Sequence, residues 1–478
     1  MLIGLITISS ISFYGCDFNK KQVIKGNLII QNKAEDFQKG RFEETQINNI
    51  NTGEIQISKK NDKYEKSGMY TSEVINTDPF NTMLLSCNAD TPEGTSVKVE
   101  IQVKVNGKWS KWLNWGKWGT YIKSGSDISS QEDDLASMDE DVLQIKGSDK
   151  AATSLKYKLT LETVKETVSP SIRMIAASLR NDAKPIAKIY KDTAAQQNLS
   201  NVDKVLNVPK FSQMVRDKNI AVNICSPTCI AMAMNYYGIE ITPEESAWGV
   251  YDNLGLLFGN WAFNCAYAGS YGLEAYTDFF NSMDDIKREI LNGNPVIASV
   301  KYKSDESVQG DLPVLHGAPI DKTEGHLVLV CGFTHENGKE YVVVNDPAAK
   351  DDNSVSVKYL ASEFDKAWVK VVYVIHKGIS ESVMPRRINA EFTATGSKRQ
   401  NINDVEYEYQ LKFNNKVVNL SRENIKSILV SKNEREYSYI YPNSSKNLFF
   451  RSIDGSEEYK FIIVSADGRV YTSKISYK

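Results

Sequence analysis

Between residues 96 and 105, Val97, Val99, Ile101, Val103 and Val105 alternate with Lys98, Glu100, Gln102 and Lys104. Period-two alternation puts the apolar set on one face of an extended chain and the polar set on the other, so this segment predicts a half-buried strand. Asn106-Gly107 follows, a pair that tolerates the positive φ of a tight hairpin, and predicts a turn. Leu155, Tyr157, Leu159 and Leu161 repeat the alternation, and residues 172–179 form a further apolar run. Residues 36–180 therefore read as an antiparallel β-sandwich. The polar stretch 181–204 lacks alternation and reads as a linker. Across 205–377 helical spacing mixes with strands, which is an α+β pattern. Residues 378–478 return to short strands, with alternation over 405–413 and an Asp467-Gly468 turn, and read as a small immunoglobulin-like β-sandwich. The fold class is multidomain, a central α+β domain between two β-sandwiches.

The first fifteen residues are uncharged and rich in apolar and hydroxyl side chains. A membrane-crossing helix needs about 20 apolar residues, so this run fits the core of a secretory signal instead. Its closing Gly15-Cys16 resembles the lipobox of bacterial lipoproteins. The reading is a signal over 1–16, a lipid on Cys16, a tether over 17–35, and membrane contact through the lipid alone. Free secretion is the alternative.

The 478 residues carry 57 Lys+Arg against 60 Asp+Glu, a net charge of −3. No basic excess is left to neutralise phosphates, which argues against nucleic acid as a partner. With Cys16 lipidated, Cys87, Cys225, Cys229, Cys265 and Cys331 remain, an odd set that leaves at least one thiol free. No CxxC, HExxH or phosphate-cradling glycine loop occurs, so no metal or organic cofactor is implied. Trp109, Trp112, Trp115 and Trp118 recur every third residue. They read either as core rings or as an aromatic platform for sugar or cell-wall polymer, and period three puts successive rings on opposite faces of a strand.

All four histidines fall between 316 and 376, so histidine chemistry is confined to the central domain. There Cys225-Ser226-Pro227-Thr228-Cys229 precedes an apolar stretch that runs to Gly238. Ser226 suits an N-cap, Pro227 the first helical position and Gly238 the C-terminal stop, which puts Cys225 at the mouth of a helix. The positive end of the helix dipole favours thiolate there. Cys229, one turn in, reads as core. His326 opens an apolar strand, Asn337-Gly338 turns the chain, and a second strand ends at Asp346. A two-residue turn would put His326 and Asp346 on opposite faces. A three-residue turn with Gly338 left-handed would set Asp346 opposite Val328, on the face of His326 and about 7 Å away. The three-residue turn is expected. Thiol, imidazole and carboxylate together supply nucleophile, base and orienter for acyl transfer.

The order Cys, His, Asp is that of papain-like hydrolases. The motifs Val208-Pro209-Lys210-Phe211-Ser212-Gln213, Cys225-Ser226-Pro227-Thr228, Asn260-Trp261-Ala262-Phe263-Asn264, Asn294-Pro295-Val296, Gly325-His326 and Asn345-Asp346-Pro347 resemble a known family. It is the bacterial cysteine peptidases of the C-thirty-nine-like group, relatives of the bacteriocin leader peptidases. The first sandwich also resembles the domain that precedes this peptidase in secreted relatives. The resemblance implies a papain-like central domain with Cys225 as nucleophile and His326 as general base and then acid. It implies Asp346 as orienter, and Gln213 as oxyanion-hole donor beside the Cys225 backbone N–H. Gln213 precedes Cys225 by twelve residues, so a loop must return it to the site. Cys265 reads as packing. His316 and Trp261 are candidate substrate-groove contacts, with surface loop and core as their alternatives. The implied activity is hydrolysis of peptide or protein substrates by an exported cysteine peptidase. Two other readings stay open: a cell-wall amidase or transpeptidase using the same triad, and an inactive cell-surface binding protein.

Overall fold

A computed structural model describes residues 23–48, 53–127, 129, 131–190, 198–378, 386–401, 404–433, 436–441, 447–452 and 458–476. Cys16, with the signal and lipid readings, lies outside the described residues. Among the described residues no helix is long and apolar enough to cross a membrane.

The N-terminal region is built on β1 (Thr82–Asp90), β2 (Thr95–Val105), β3 (Leu113–Trp118), β4 (Ala152–Thr163) and β5 (Ser171–Arg180). β2 pairs with β4 in an eight-stranded sheet, and β1 with β5 in a seven-stranded one. The alternation seen in the sequence is the reason for both sheets. Val97, Val99, Ile101 and Val103 of β2 meet Met83 and Leu85 of β1 in one apolar core. Asn106 and Gly107 take φ values of 48° and 82° and make the two-residue turn that pairs Val105 with Lys108.

Two expectations fail here. The segment read as a tether is folded from residue 23 on, since Leu28–Gln31 forms a strand that pairs with residues 175–178 of β5. The tryptophans also do not alternate by face. An extra residue between Asn114 and Lys117 shifts the register of β3 against β2, so Trp115 and Trp118 both point inward, only 2% and 4% exposed. Such a bulge resets the period of two. Gly116 stands in it at φ 98°, where a Cβ would lie 2.5 Å from the carbonyl oxygen of Gly125. Trp109 and Trp112 stay half-buried at the outer face.

The central region contains α1 (Cys225–Tyr236), α2 (Pro243–Val250), α3 (Trp261–Gly269), β6 (Glu274–Phe279), α4 (Met283–Leu291), β7 (Val296–Lys303), β8 (Lys322–Glu336), β9 (Lys339–Asn345), β10 (Ser356–Leu360), α5 (Ala361–Ala367) and β11 (Trp368–His376). The strands order as β6-β11-β7-β8-β9-β10. Both faces of this sheet are covered, which explains its nearly continuous apolar strands. Ile297, Leu327, Leu329, Tyr373 and Ile375 face Cys229, Ile230 and Ala233 of α1. Their neighbours Val296, Ala298, Val328, Val330 and Val374 face Ile286 and Ile290 of α4.

β6 is the edge of this sheet, and side chains from the N-terminal region bond its outer backbone. Asn88 donates from Nδ2 to the Ala275 carbonyl at 2.8 Å and accepts from the Ala275 N–H at 2.9 Å. Ser86 Oγ accepts from the Thr277 N–H at 3.0 Å, and Ser178 Oγ from the Phe279 N–H at 2.9 Å. Asn27 Nδ2 donates to the Phe279 carbonyl at 2.6 Å. These four side chains are buried. Buried backbone groups need partners, and here polar side chains stand in for a further strand.

The C-terminal residues form a five-stranded and a four-stranded sheet around Leu411, Ile428, Phe461 and Ile463. They dock on α2 and the loop before α1. Trp248 Nε1 donates to Ser427 Oγ at 3.0 Å, Ser427 Oγ donates to Asp217 at 3.1 Å, and Arg387 pairs with Glu245 at 2.9 Å.

Candidate active site

The helix that carries the candidate nucleophile starts at Cys225 itself. Ile224 occupies the cap and supplies no side-chain bond, so Ser226 is not the N-cap it was expected to be. Its hydroxyl donates to Asn264 Oδ1 at 3.0 Å and lies 3.0 Å from the Tyr373 hydroxyl, tying the helix mouth to α3 and β11. A cap satisfies helix N–H groups with an exposed oxygen, whereas Ser226 is 1% exposed and its oxygen is engaged on the core side. The C-terminal expectation agrees with the structure. Gly238 sits at φ 87°, and Ile239 and Gly238 donate back to the Met234 and Asn235 carbonyls, the paired bonds of a Schellman stop.

The hairpin that carries His326 and Asp346 corrects another expectation. The turn has two residues, Asn337 and Gly338 at φ 51° and 73°, pairing Glu336 with Lys339 and His335 with Glu340. Both residues accept positive φ without strain, and this turn matches strand twist better than a three-residue one. A two-residue turn alone would have separated His326 from Asp346. A bulge at Cys331 restores the phase, because the register passes from Gly332↔Val343 to Val330↔Val344 and then Leu329↔Asn345. The incoming chain uses the bulge: Leu206 N–H donates to the Cys331 carbonyl at 2.8 Å. A Cβ on Gly332 would come within 2.1 Å of the Lys204 carbonyl oxygen.

His326 Nε2 consequently lies 2.8 Å from Asp346 Oδ1, with the two side chains 2% and 0% exposed. Cys225 is hydrogen-bonded to the same imidazole, which leaves Nδ1 as the nitrogen that faces the thiol. Asp346 is held on three further sides. Tyr359 donates its O–H to Oδ2 at 2.8 Å, Ala348 N–H donates to Oδ1 at 3.0 Å, and the Asp346 N–H donates to the Val355 carbonyl. The buried Tyr302 ring meets the His326 ring edge-on at 6.5 Å.

The electrostatics favour the charged pair. Burial pushes the Cys225 thiol up, but the His326 hydrogen bond and charge, with the Leu327 and Ser226 backbone N–H groups, bring it below its ordinary value. Burial pushes His326 down, and the Asp346 charge and hydrogen bond, aided by Cys225, outweigh it and raise the imidazole to about 10. Cys87, Cys229, Cys265 and Cys331 are buried, and desolvation raises all four. Among the described cysteines, Cys225 alone is both partly accessible and shifted toward thiolate. That combination marks a reactive thiol.

The other sequence candidates are distributed differently. Gln213 is buried in a loop that returns to the site: its backbone N–H donates to the Pro347 carbonyl at 2.7 Å, and its Nε2 to the Ala221 carbonyl at 2.7 Å. Trp261 is half-buried and packs on Tyr373 with centroids 4.7 Å apart. His316 does not join the group. Both ring nitrogens are engaged on an exposed loop, with Glu363 at 2.9 Å and Glu306 at 3.1 Å, and these bonds raise its pKa. Cys265 is fully buried in the apolar cluster beneath α1. Among the described residues no group of three His, Cys, Asp or Glu side chains could hold a metal.

Sequence reasoning missed Tyr359, Tyr373 and Asp141, and it gave Ser226 the role of a cap rather than that of a bond to Asn264 and Tyr373. Tyr359 and Tyr373 look like ordinary apolar-face residues of strands, and only the fold reveals where their hydroxyls go. Asp141 reaches across from the N-terminal region to accept the Trp261 N–H at the start of α3. Burial, only partly offset by hydrogen bonds, raises its carboxyl to about 7.

Comparison with known proteins finds two family models along the chain. Residues 205–376 match the model of the Peptidase C39 like family, and residues 28–179 that of the Peptidase C39 N-terminal domain. No curated protein matches the chain. Matching solved structures include a C39-like protein of Bacillus anthracis at 18% identity, covering 37% of this chain and 99% of that one with a TM-score of 0.27. A procathepsin B of Trypanosoma congolense matches at 13% identity over 39% and 80% of the two chains with a TM-score of 0.28. Procathepsin L 3 of Tenebrio molitor larval midgut matches at 11% identity over 38% and 72%, also with a TM-score of 0.28. Residues 205–376 are thus similar to the Peptidase C39 like family, and residues 28–179 to the Peptidase C39 N-terminal domain.

Proposed function

We propose that the protein is an exported cysteine peptidase that cleaves peptide bonds through a Cys225-His326-Asp346 triad. The observation that carries this reading is the pairing of Cys225, the one accessible, thiolate-favouring cysteine among the described residues, with a histidine whose far nitrogen is fixed 2.8 Å from a buried carboxylate. Cys225 Sγ attacks the substrate carbonyl carbon, and the charge on oxygen is received by the Cys225 backbone N–H and the second N–H of Gln213 Nε2. His326 gives its proton to the leaving amine as the carbon–nitrogen bond breaks. Water, losing a proton to His326, then displaces the thiolate from the thioester. Asp346 keeps the imidazole in the productive orientation and stabilises its cation. Export and a lipid on Cys16 rest on the N-terminal sequence, and radiolabelled palmitate incorporation lost in Cys16→Ala tests them.

The activity is tested by mass-spectrometric mapping of products from a peptide library, with Cys225→Ala as control, and by mapping iodoacetamide adducts on the folded chain. Cleavage that vanishes in Cys225→Ala, with Cys225 labelled ahead of Cys229 and Cys331, supports the reading. Intact peptides together with soluble products from purified cell wall would replace it with the amidase. Equally sluggish thiols and no turnover of either substrate would leave a binding protein.

A further inference from the structure

The outer face of the eight-stranded sheet carries cations at a regular interval. Lys98 and Lys104 project from β2, and Lys156 and Lys158 from β4. The register sets Glu100 opposite Lys158 and Gln102 opposite Lys156, so along the strands the order is Lys98, Lys158, Lys156, Lys104. Same-face positions lie two residues apart, about 6.8 Å, so the four lysines form a row roughly 20 Å long with one charge every ~7 Å. Glu100 offsets one of these charges, contacting Lys98 at 3.5 Å and Lys158 at 2.9 Å.

The two outward tryptophans hold the row in place. Lys156 Nζ lies 4.9 Å from the Trp109 ring and 5.3 Å from the Trp112 ring; Lys104 lies 5.6 Å from Trp109, and Lys158 4.7 Å from Trp112. Cation–π contact orients an ammonium without neutralising it. Among the described residues no carboxylate pairs with Lys104 or Lys156, although the whole chain is net negative. Lys104 and Lys156 are therefore preorganised cations without a carboxylate partner, in a linear row whose other two members, Lys98 and Lys158, share Glu100.

We propose that this face binds a linear polyol-phosphate polymer, one phosphodiester per lysine. An extended three-carbon polyol phosphate repeats every six bonds, about 7 Å at the reach of ~3.5 Å per three chain bonds, which matches the row. Single-stranded nucleic acid has similar charge spacing but is gripped by stacking its bases on open aromatic faces. Here both indoles already carry an ammonium, and Trp115 and Trp118 are in the core. The surface is independent of the peptidase reading, since none of its residues touches Cys225, His326 or Asp346.

The test is titration of the full chain with poly(glycerol phosphate), read by tryptophan fluorescence at two salt concentrations, with oligothymidylate of equal charge in parallel. Three net phosphate contacts at a slope of about 0.7 each predict affinity falling roughly 20-fold between about 50 and about 200 mM salt. Lys104→Gln and Lys156→Gln should each weaken binding and flatten that slope by about 0.7, with melting temperature and peptide cleavage unchanged. Oligothymidylate binding as tightly would make the face a nucleic-acid surface and overturn the proposal. So would an absence of polymer binding at the lower salt, or binding that both substitutions leave intact.

Discussion

Replacing Asp346 by Asn removes a charge while leaving a side chain of the same shape. The Asn oxygen can keep the His326 and Ala348 bonds at 2.8 and 3.0 Å, and its amide can face the Tyr359 oxygen. What is lost is attraction between a carboxylate and an imidazolium whose charge centres lie about 4 Å apart, worth ~4 kcal/mol at an effective dielectric of about 20. That equals roughly three pH units. His326 is raised to about 10 largely by that charge, so the basic limb of activity should move to about 7 in the variant. The thiolate–imidazolium pair loses the same support, and kcat/KM at neutral pH should fall by about a thousandfold. The assay is kcat/KM across the pH range, with iodoacetamide inactivation rates measured in parallel to follow the thiolate without turnover. Both profiles report the coupled Cys225–His326 pair. A folded Asp346→Asn variant whose basic limb stays in place would refute the argument that the carboxylate charge sustains the pair.

Tyr359→Phe deletes the hydroxyl bonded to Asp346 Oδ2; a lost bond to a charged group predicts about 1.5–3 kcal/mol less stability in denaturant titration, with kcat reduced more than KM is changed. Asp141→Asn keeps an acceptor for the Trp261 N–H but removes a carboxyl that burial raises from 3.8 to about 7. Because the folded value lies above the unfolded one, its contribution is full below pH ~4 and lost as pH rises to ~7, on the order of 4 kcal/mol. Melting temperatures should show that decline in the parent and not in the variant. Asn88→Ala leaves the Ala275 N–H and carbonyl buried without partners, and should cost about 2–4 kcal/mol in the same titration. Gly332→Ala drives a Cβ to 2.1 Å from the Lys204 carbonyl, and should lower both melting temperature and activity, because the bulge that aligns His326 with Asp346 must shift.

What could be read from the sequence was whatever short-range rules decide. Alternation located β2 and β4, Asn106-Gly107 and Asn337-Gly338 announced their turns, and Gly238 its helix stop. Where the reading failed, a distant partner decides the local geometry. The Cys331 bulge is stabilised by Leu206, more than a hundred residues earlier in the chain, and the Gly116 bulge lies against Gly125. Ser226 has the profile of a cap, yet Asn264 and Tyr373 hold its hydroxyl elsewhere. Leu28–Gln31 is too short a run to look like a strand until residues 175–178 lie beside it. The candidate triad was legible because its three members are rare residue types at the ends of regular elements. Tyr359 was not, since a tyrosine on a strand is usually packing.

The side chains that close the outer edge of β6 set a limit on how this protein can be divided. Cutting the chain before residue 205 would follow the family match, yet it would strip Asn27, Ser86, Asn88 and Ser178 from the backbone of residues 275–279. The excised piece would present an open row of amides and carbonyls beside an apolar sheet, a template for pairing with its own copies. For expression work the smallest dependable unit therefore begins with the N-terminal sheets, and aggregation of a shorter fragment would reflect its bare sheet edge rather than any fault in the catalytic residues inside it.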